Sequence, residues 1–275
     1  MRCTSLGIIV ALTFSPAFAQ VSSESFFQNT TGDMFALHHG PIRDNVDHGN
    51  GTSTSTNWSG YAVLGSSFVW AKGSWIVPTA NCSGVGRTQY AAFWVGLDGY
   101  SSTTVEQTGT DSDCDGTTPS YYAWYEFYPK ASVTISSLPI KPGDAISALI
   151  YFDSAIDKFV AQITDETTGK TFETAAAVSG AARSSAEWIT EAPCCTFLGG
   201  ILPLSDFGTV SFGKDKTGIT VTNWAMDEST TAAIGGFPAV NVIEINKTGS
   251  NSSPQTSDCS ALSTDNTSFT CTWAQ

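Results

Sequence analysis

This 275-residue sequence predicts an all-β sandwich of two antiparallel sheets, on three observations. From Asn57 onward, short runs of β-branched and aromatic residues recur: "SGYAVLG", "AFWVGLDG", "AWYEFYP", "AISALIYFD", "KFVAQITDE", "VIEINKTG" and "SFTCTWA". Gly, Pro, Asn and Asp punctuate the gaps between them. No amphipathic helical pattern of useful length interrupts them, which leaves a concanavalin-like or jelly-roll sandwich. Helical turns are expected only at "PLSDF" (203–207) or "DEST" (227–230).

Ahead of the strands, "MRCTSLGIIVALTFSPAFAQ" has the plan of a signal peptide, residues 1–19. Arg2 supplies the positive end, Leu6 to Phe14 an apolar stretch too short to span a bilayer, and Ala17-Phe18-Ala19 the small-x-small cleavage site. Residues 20–52 are polar and aperiodic and read as a pro-segment. It ends in a Gly/Ser/Thr-rich run over 49–56 expected to be a flexible, cleavable linker. Residues 53–275 then form one domain. The product is expected outside the cell, with no membrane anchor and no feature arguing for an oligomer, so it is read as a monomer.

Composition narrows the chemistry. The formal net charge is −13 with only 12 Lys and Arg, and no basic patch is present, which excludes nucleic acid as a partner. An acidic, cation-poor surface suits an acidic medium, where its carboxylates neutralise. Six cysteines follow Cys3, an even number in an exported chain. Cys259 and Cys271 flank a C-terminal hairpin and are expected to pair. Cys82, Cys114, Cys194 and Cys195 form the other two bridges in a connectivity left open. A zinc site lacks the spacing and the histidines it needs. All three histidines, His38, His39 and His48, precede residue 50. Removing the pro-segment leaves a domain without histidine, which excludes a Ser-His-Asp machine and a His-ligated catalytic metal. Sequons stand at Asn57, Asn81, Asn246, Asn251 and Asn266.

Strand alternation shows which side chains share a face. Trp94 and Asp98 oppose Phe93, Val95 and Leu97. Trp124 and Glu126 lie together, as do Val105 and Gln107, with Glu106 on the opposite side. Glu187 shares a face with Ser185 and Ile189. On one sheet, Trp94, Asp98, Gln107, Trp124, Glu126 and Glu187 converge on a groove of indoles and carboxylates suited to an extended polymer. Each alone has a plainer role: a strand Trp usually packs a core, and a strand Glu or Gln usually meets solvent.

Five motifs in order, "NWSGYAV" (57–63), "FWVGLDG" (93–99), "QTG" (107–109), "YAWYEFYP" (122–129) and "AEWITE" (186–191), resemble the glutamic peptidases, the eqolisin family. The resemblance implies a sandwich of two seven-stranded antiparallel sheets. It also implies endopeptidase activity on proteins and peptides in acid, without metal or cofactor. Its catalytic pair falls here on Gln107 and Glu187, with Trp94, Asp98, Trp124 and Glu126 as supporting or substrate-contacting residues. Glu187 as carboxylate would take a proton from water. Gln107 would hold that water and donate to the oxyanion, and as an amide it does not titrate. The carboxylate is expected to keep an unraised pKa through hydrogen bonds to its charged form. Two rivals remain: a jelly-roll glycoside hydrolase using Glu126 and Glu187 across the groove, and a non-catalytic carbohydrate-binding sandwich. Pepsin-type chemistry lacks its Asp-Thr-Gly or Asp-Ser-Gly.

Overall fold

The computed structural model describes residues 27–28, 34–35, 37–195 and 200–275. The expected signal peptide lies outside them. In chain order the strands used below are β1 (Leu37–His38), β2 (Thr52–Ser55), β3 (Trp58–Leu64), β4 (Trp70–Ile76), β5 (Ala92–Leu97), β6 (Val105–Asp115), β7 (Thr118–Tyr128), β8 (Ala145–Asp153), β9 (Lys158–Asp165), β10 (Lys170–Ala176), β11 (Ser185–Glu191), β12 (Cys194–Cys195), β13 (Thr209–Phe212), β14 (Val242–Lys247), β15 (Thr256–Cys259) and β16 (Phe269–Ala274).

Pairing sorts them into the expected two layers. The first runs β2-β14-β3-β11-β5-β6-β7, antiparallel except where β2 runs parallel to β14. The second runs β10-β9-β8-β4-β13-β16-β15 and is antiparallel throughout. The layers meet at one edge, where Lys247 of β14 pairs with Ser257 of β15. The β6–β7 hairpin turns through Gly116 and Thr117, where Gly116 takes a φ of 59°. This is the left-handed conformation that a two-residue hairpin turn demands and glycine adopts without strain.

Alternation fills the space between the layers. Val63, Phe93, Val95, Leu97, Ala186 and Trp188 of the first layer pack against Trp75, Ile146, Ile150, Phe159, Ile163, Phe212 and Phe269 of the second. Each large apolar side chain buried this way contributes about 1.5–3 kcal/mol. A second apolar cluster, including Trp58, Trp94, Val105, Trp124 and Ile189, covers the outer face of the first layer.

Three local expectations change. The run over 49–56 is not a free linker: Thr52–Ser55 is strand β2, with Ser53 and Ser55 fully buried. Its alternating Ser and Thr fit a half-buried edge, so pairing overrides a composition that reads as flexible. The one α-helix among the described residues is Lys214–Thr217. The 227–230 stretch is a turn, because Asp227 accepts the backbone N–H groups of Ser229 and Thr230 at 2.8 and 2.6 Å. Cys259 bonds Cys271 as expected, and Cys82 bonds Cys114. That settles part of the open connectivity and leaves neither Cys82 nor Cys114 to bridge Cys194 or Cys195.

Candidate active site

The outer face of the first layer is laid out by register. Glu187, Gly96, Gln107 and Glu126 stand opposite one another across β11, β5, β6 and β7. The next row is Ile189, Trp94, Gly109 and Trp124; the next is Glu191, Ala92, Asp111 and Tyr122. Gly96 and Gly109 make room for the two indoles. A Cβ on Gly109 would meet Trp94 Cβ at 2.6 Å and Trp124 Cζ2 at 2.9 Å, and one on Gly96 would meet Trp94 Cζ3 at 2.9 Å. The Trp94 ring therefore lies over Gly96, between Glu187 and Gln107.

The acids on this face are fully buried. Trp124 Nε1 donates to Asp111 at 2.6 Å. Tyr122 Oη sits 2.9 Å from Asp111 and 2.8 Å from Asp113. One hydroxyl carries one proton, so it donates to one carboxyl and accepts from the other; at least one of the two is protonated. Burial accordingly raises Asp111 to about 7 and, with the Asp111 charge beside it, holds Asp113 well above the usual carboxylate range. Glu191 accepts from Trp94 Nε1 at 2.9 Å and Asn57 Nδ2 at 3.3 Å. Its pKa is held well above the usual range by burial and the nearby Glu126 charge, against the pull of those two donors.

Onto this face lies the chain's own N-terminal segment. Strand β1 pairs with β12, His38 opposite Cys194. His38 Nδ1 lies 2.8 Å from Glu126 Oε1, and the His39 backbone N–H donates to Glu126 Oε2 at 2.8 Å. The His39 ring stacks on Trp124 at 3.6 Å and 3°. Its Nδ1 lies 3.3 Å from Glu126 and its Nε2 3.4 Å from Asp111. Gln107 Nε2 donates to the His39 carbonyl oxygen and lies 3.4 Å from Glu126 Oε2. Gln107 Oε1 is buried with no hydrogen-bond partner among the described residues. Beyond His39, Trp58 Nε1 donates to the Gly40 carbonyl at 3.1 Å and Asn57 Nδ2 to that of Pro41 at 3.1 Å. The Ile42 N–H donates to Gly99 O at 3.1 Å and the Arg43 N–H to Asn57 Oδ1 at 2.7 Å. Burial raises Glu126 to about 7 against the lowering pull of His39. It lowers the pKa of both imidazoles, and Glu126 offsets part of that for His39.

Of the residues singled out by sequence, Gln107, Glu126, Trp94 and Trp124 come together here. Asp98 does not join them, and Glu187, in the same row across the sheet as Gln107 and Glu126, makes no hydrogen bond to any of them among the described residues. The Asp98 carboxylate takes the backbone N–H groups of Ala182, Arg183 and Ser184 at 2.9, 2.7 and 2.9 Å and fastens that loop. Glu187 is fully buried, with neither oxygen hydrogen-bonded among the described residues. Burial raises its pKa well above the usual range, with smaller contributions from the Asp98 and Glu106 charges. Burial thus works against the expectation of an unraised base at Glu187, and it raises Glu191 likewise despite the two donors on its carboxylate. Glu106, on the opposite side of β6 from Gln107, is raised to about 9 by burial and by Asp98.

Sequence reasoning missed Glu191, Asp111, Asn57 and Trp58. Glu191 lies in the quoted "AEWITE" and shares a face with Glu187 by alternation, so the signal was present but could not be ranked. Asn57 is 1% exposed and bonded to Pro41, Arg43 and Glu191, which bars its sequon from carrying a glycan in the folded chain. Among the described residues no three His, Cys, Asp or Glu side chains are grouped to hold a metal ion.

The model of the peptidase A4 family matches residues 56–273. Aspergillopepsin-2 of Aspergillus niger is 30% identical over 189 residues, 59% of this chain and 65% of that protein. Scytalidopepsin B of Scytalidium lignicola is 38% identical over 95 residues, 34% of each chain. The chain thus aligns with less than two-thirds of the length of these relatives. A solved eqolisin peptidase in complex with the tripeptide Ala-Ile-His superposes with a TM-score of 0.57 at 25% identity, over 80% of this chain and 98% of that one. With its sandwich, its motifs and this match across most of its length, the chain belongs to the peptidase A4 family.

Proposed function

We propose that the protein is an exported glutamic-type endopeptidase that cleaves proteins and peptides in acid, with Gln107 and Glu191 as its catalytic pair. One observation carries the reading: the Gln107 side-chain amide donates to a backbone carbonyl, that of His39, seated on the buried acidic face. This is the contact a scissile peptide needs. Gln107 Nε2 polarises the carbonyl and stabilises the oxyanion formed on attack. Gln107 Oε1, buried and unpartnered, accepts a hydrogen bond from the attacking water. In its ionised form Glu191 takes that water's proton and returns it to the leaving amine. Glu191 replaces Glu187 in this role because it reaches the peptide through Asn57, which holds both its carboxylate and the Pro41 carbonyl. Trp94 orients the Glu191 carboxylate, and Trp124, Glu126 and Asp111 line a slot for a flat or cationic side chain. A neighbour described with a His-containing tripeptide bound is consistent with that slot.

The sugar-directed readings lose support. They paired Glu126 with Glu187, and here Glu126 is engaged by two histidines while neither Glu187 oxygen has a hydrogen-bond partner among the described residues. The test is digestion of a denatured protein at acidic pH by the wild type, Gln107→Ala, Glu187→Gln and Glu191→Gln. Activity lost with Gln107 and Glu191 but kept without the Glu187 carboxylate is expected. An active Glu191→Gln would end the assignment.

A further inference from the structure

We infer that the His39–Gly40 peptide bond is the first bond this chain cuts, in its own N-terminal segment, on a single molecule and without help from a second copy. The inference rests on the peptidase reading above and names its first substrate.

Several independent contacts single out this bond. The carbonyl that receives the Gln107 amide belongs to His39, so the polarised carbon is the acyl side of His39–Gly40. The residues before it are clamped: the His38 ring and the His39 N–H on Glu126, the His39 ring on Trp124. The residues after it are clamped separately: Gly40 on Trp58 Nε1, Pro41 on Asn57, Ile42 on Gly99 and Arg43 on Asn57. The chain is thus held on both sides of one peptide, as a substrate is held for in-place attack. Glu191 shares Asn57 with Pro41, which puts the carboxylate on the leaving-group side. The Gly/Ser/Thr run downstream is a poor competitor, since Thr52–Ser55 is paired to β14 with Ser53 and Ser55 buried.

The step consumes one water. Its oxygen bonds the His39 carbonyl carbon while Glu191 takes a proton. The oxyanion on His39 O is held by Gln107 Nε2. The C–N bond then breaks, and the proton held by Glu191 passes to the Gly40 nitrogen. The products are a chain ending in the His39 carboxyl and a chain beginning with the Gly40 amine.

The experiment uses the full exported chain, purified at neutral pH and shifted to acid at several protein concentrations, beside Glu191→Gln and with denatured casein added to parallel samples. Mass spectrometry and N-terminal sequencing read the first cut. A new N-terminus at Gly40, appearing at a rate independent of protein concentration and at least about 100-fold slower in Glu191→Gln, is the expected result. Casein digested while the first cut falls elsewhere, or while His39–Gly40 stays whole, overturns the inference and leaves the peptidase reading intact. A cut at Gly40 whose rate rises with protein concentration overturns the single-molecule step. Casein and chain both untouched overturns the peptidase reading and the inference with it.

Discussion

Glu187 and Glu191 sit four residues apart on one strand, share a face, and differ in what surrounds them. Glu191 has two N–H donors on its carboxylate and is linked by Asn57 to the bound backbone. Glu187 lies beyond Gly96 from Gln107, with the Trp94 ring over the gap. A proton acceptor within reach of substrate contributes about 10²- to 10⁴-fold to rate. Glu191→Gln should therefore lower kcat at least 100-fold by that measure, whereas Glu187→Gln should keep activity within about 10-fold. Gln107→Ala should cost about 10²- to 10³-fold, the range for loss of one oxyanion donor. Steady-state digestion of a quenched peptide reads all three. His39 is the residue through which the N-terminal segment grips the site, by a stacked ring and contacts to Glu126 and Asp111. A synthetic peptide covering residues 35–39, the product side that ends in the His39 carboxyl, should inhibit the trimmed enzyme. His39→Ala in that peptide should weaken inhibition about 10-fold or more, as expected for loss of hydrogen bonds to charged groups. Equal inhibition by both peptides would place the grip elsewhere.

At the scale of elements, the hairpin β6–β7 carries most of the site: Gln107, Asp111, Asp113, Tyr122, Trp124 and Glu126. Its free end is tied by the Cys82–Cys114 bridge, which closes a loop of separation 32. Replacing both cysteines by serine should lower stability by about 4 kcal/mol, as chain-entropy estimates give for such a loop. Thermal unfolding with and without reductant measures it. Only half of this hairpin was legible in the sequence: "YAWYEFYP" reads as a strand, whereas "EQTGTDSDCDG" lacks apolar alternation and runs straight through Gly109, where a turn is suggested, to the turn at Gly116-Thr117. Strand β2 was not legible. Its Ser and Thr read as linker until β14 supplies a partner strand, and that partner is about 190 residues away in sequence.

For the molecule as a whole, buried acids set the pH response. Glu106 is raised from an ordinary 4.5 to about 9, and Glu126 and Asp111 to about 7. Between the ordinary and raised values the folded chain keeps a proton that the unfolded chain releases, so raising pH favours unfolding. The stability these groups contribute is complete below their ordinary pKa and lost as pH rises through about 7 and then about 9. His38 and His39, lowered by burial, act in the opposite sense below 6.5, and Asp265, lowered to about 2, withdraws its share as pH falls through that value. The carboxyls outnumber the imidazoles, so Tm should be highest in the acid range and fall toward alkaline pH. Glu106→Gln, neutral at every pH, should flatten the alkaline side of that profile. A Tm that rises between pH 5 and 9 would refute the ordering.

By itself the sequence determined the layers, the bridged C-terminal hairpin and the family. Those follow from local periodicity, from spacing between neighbours in the chain, and from motifs that survive without geometry. Only the tertiary structure decided that Trp94 and Asn57 donate to Glu191 while Glu187 has no such donors, that Asp98 fastens a loop, and that the two histidines lie on the acidic face. Each of these depends on side chains from separated strands meeting in three dimensions. Whether a carboxylate is solvated, bonded or buried is a property of that meeting, and no stretch of sequence contains it.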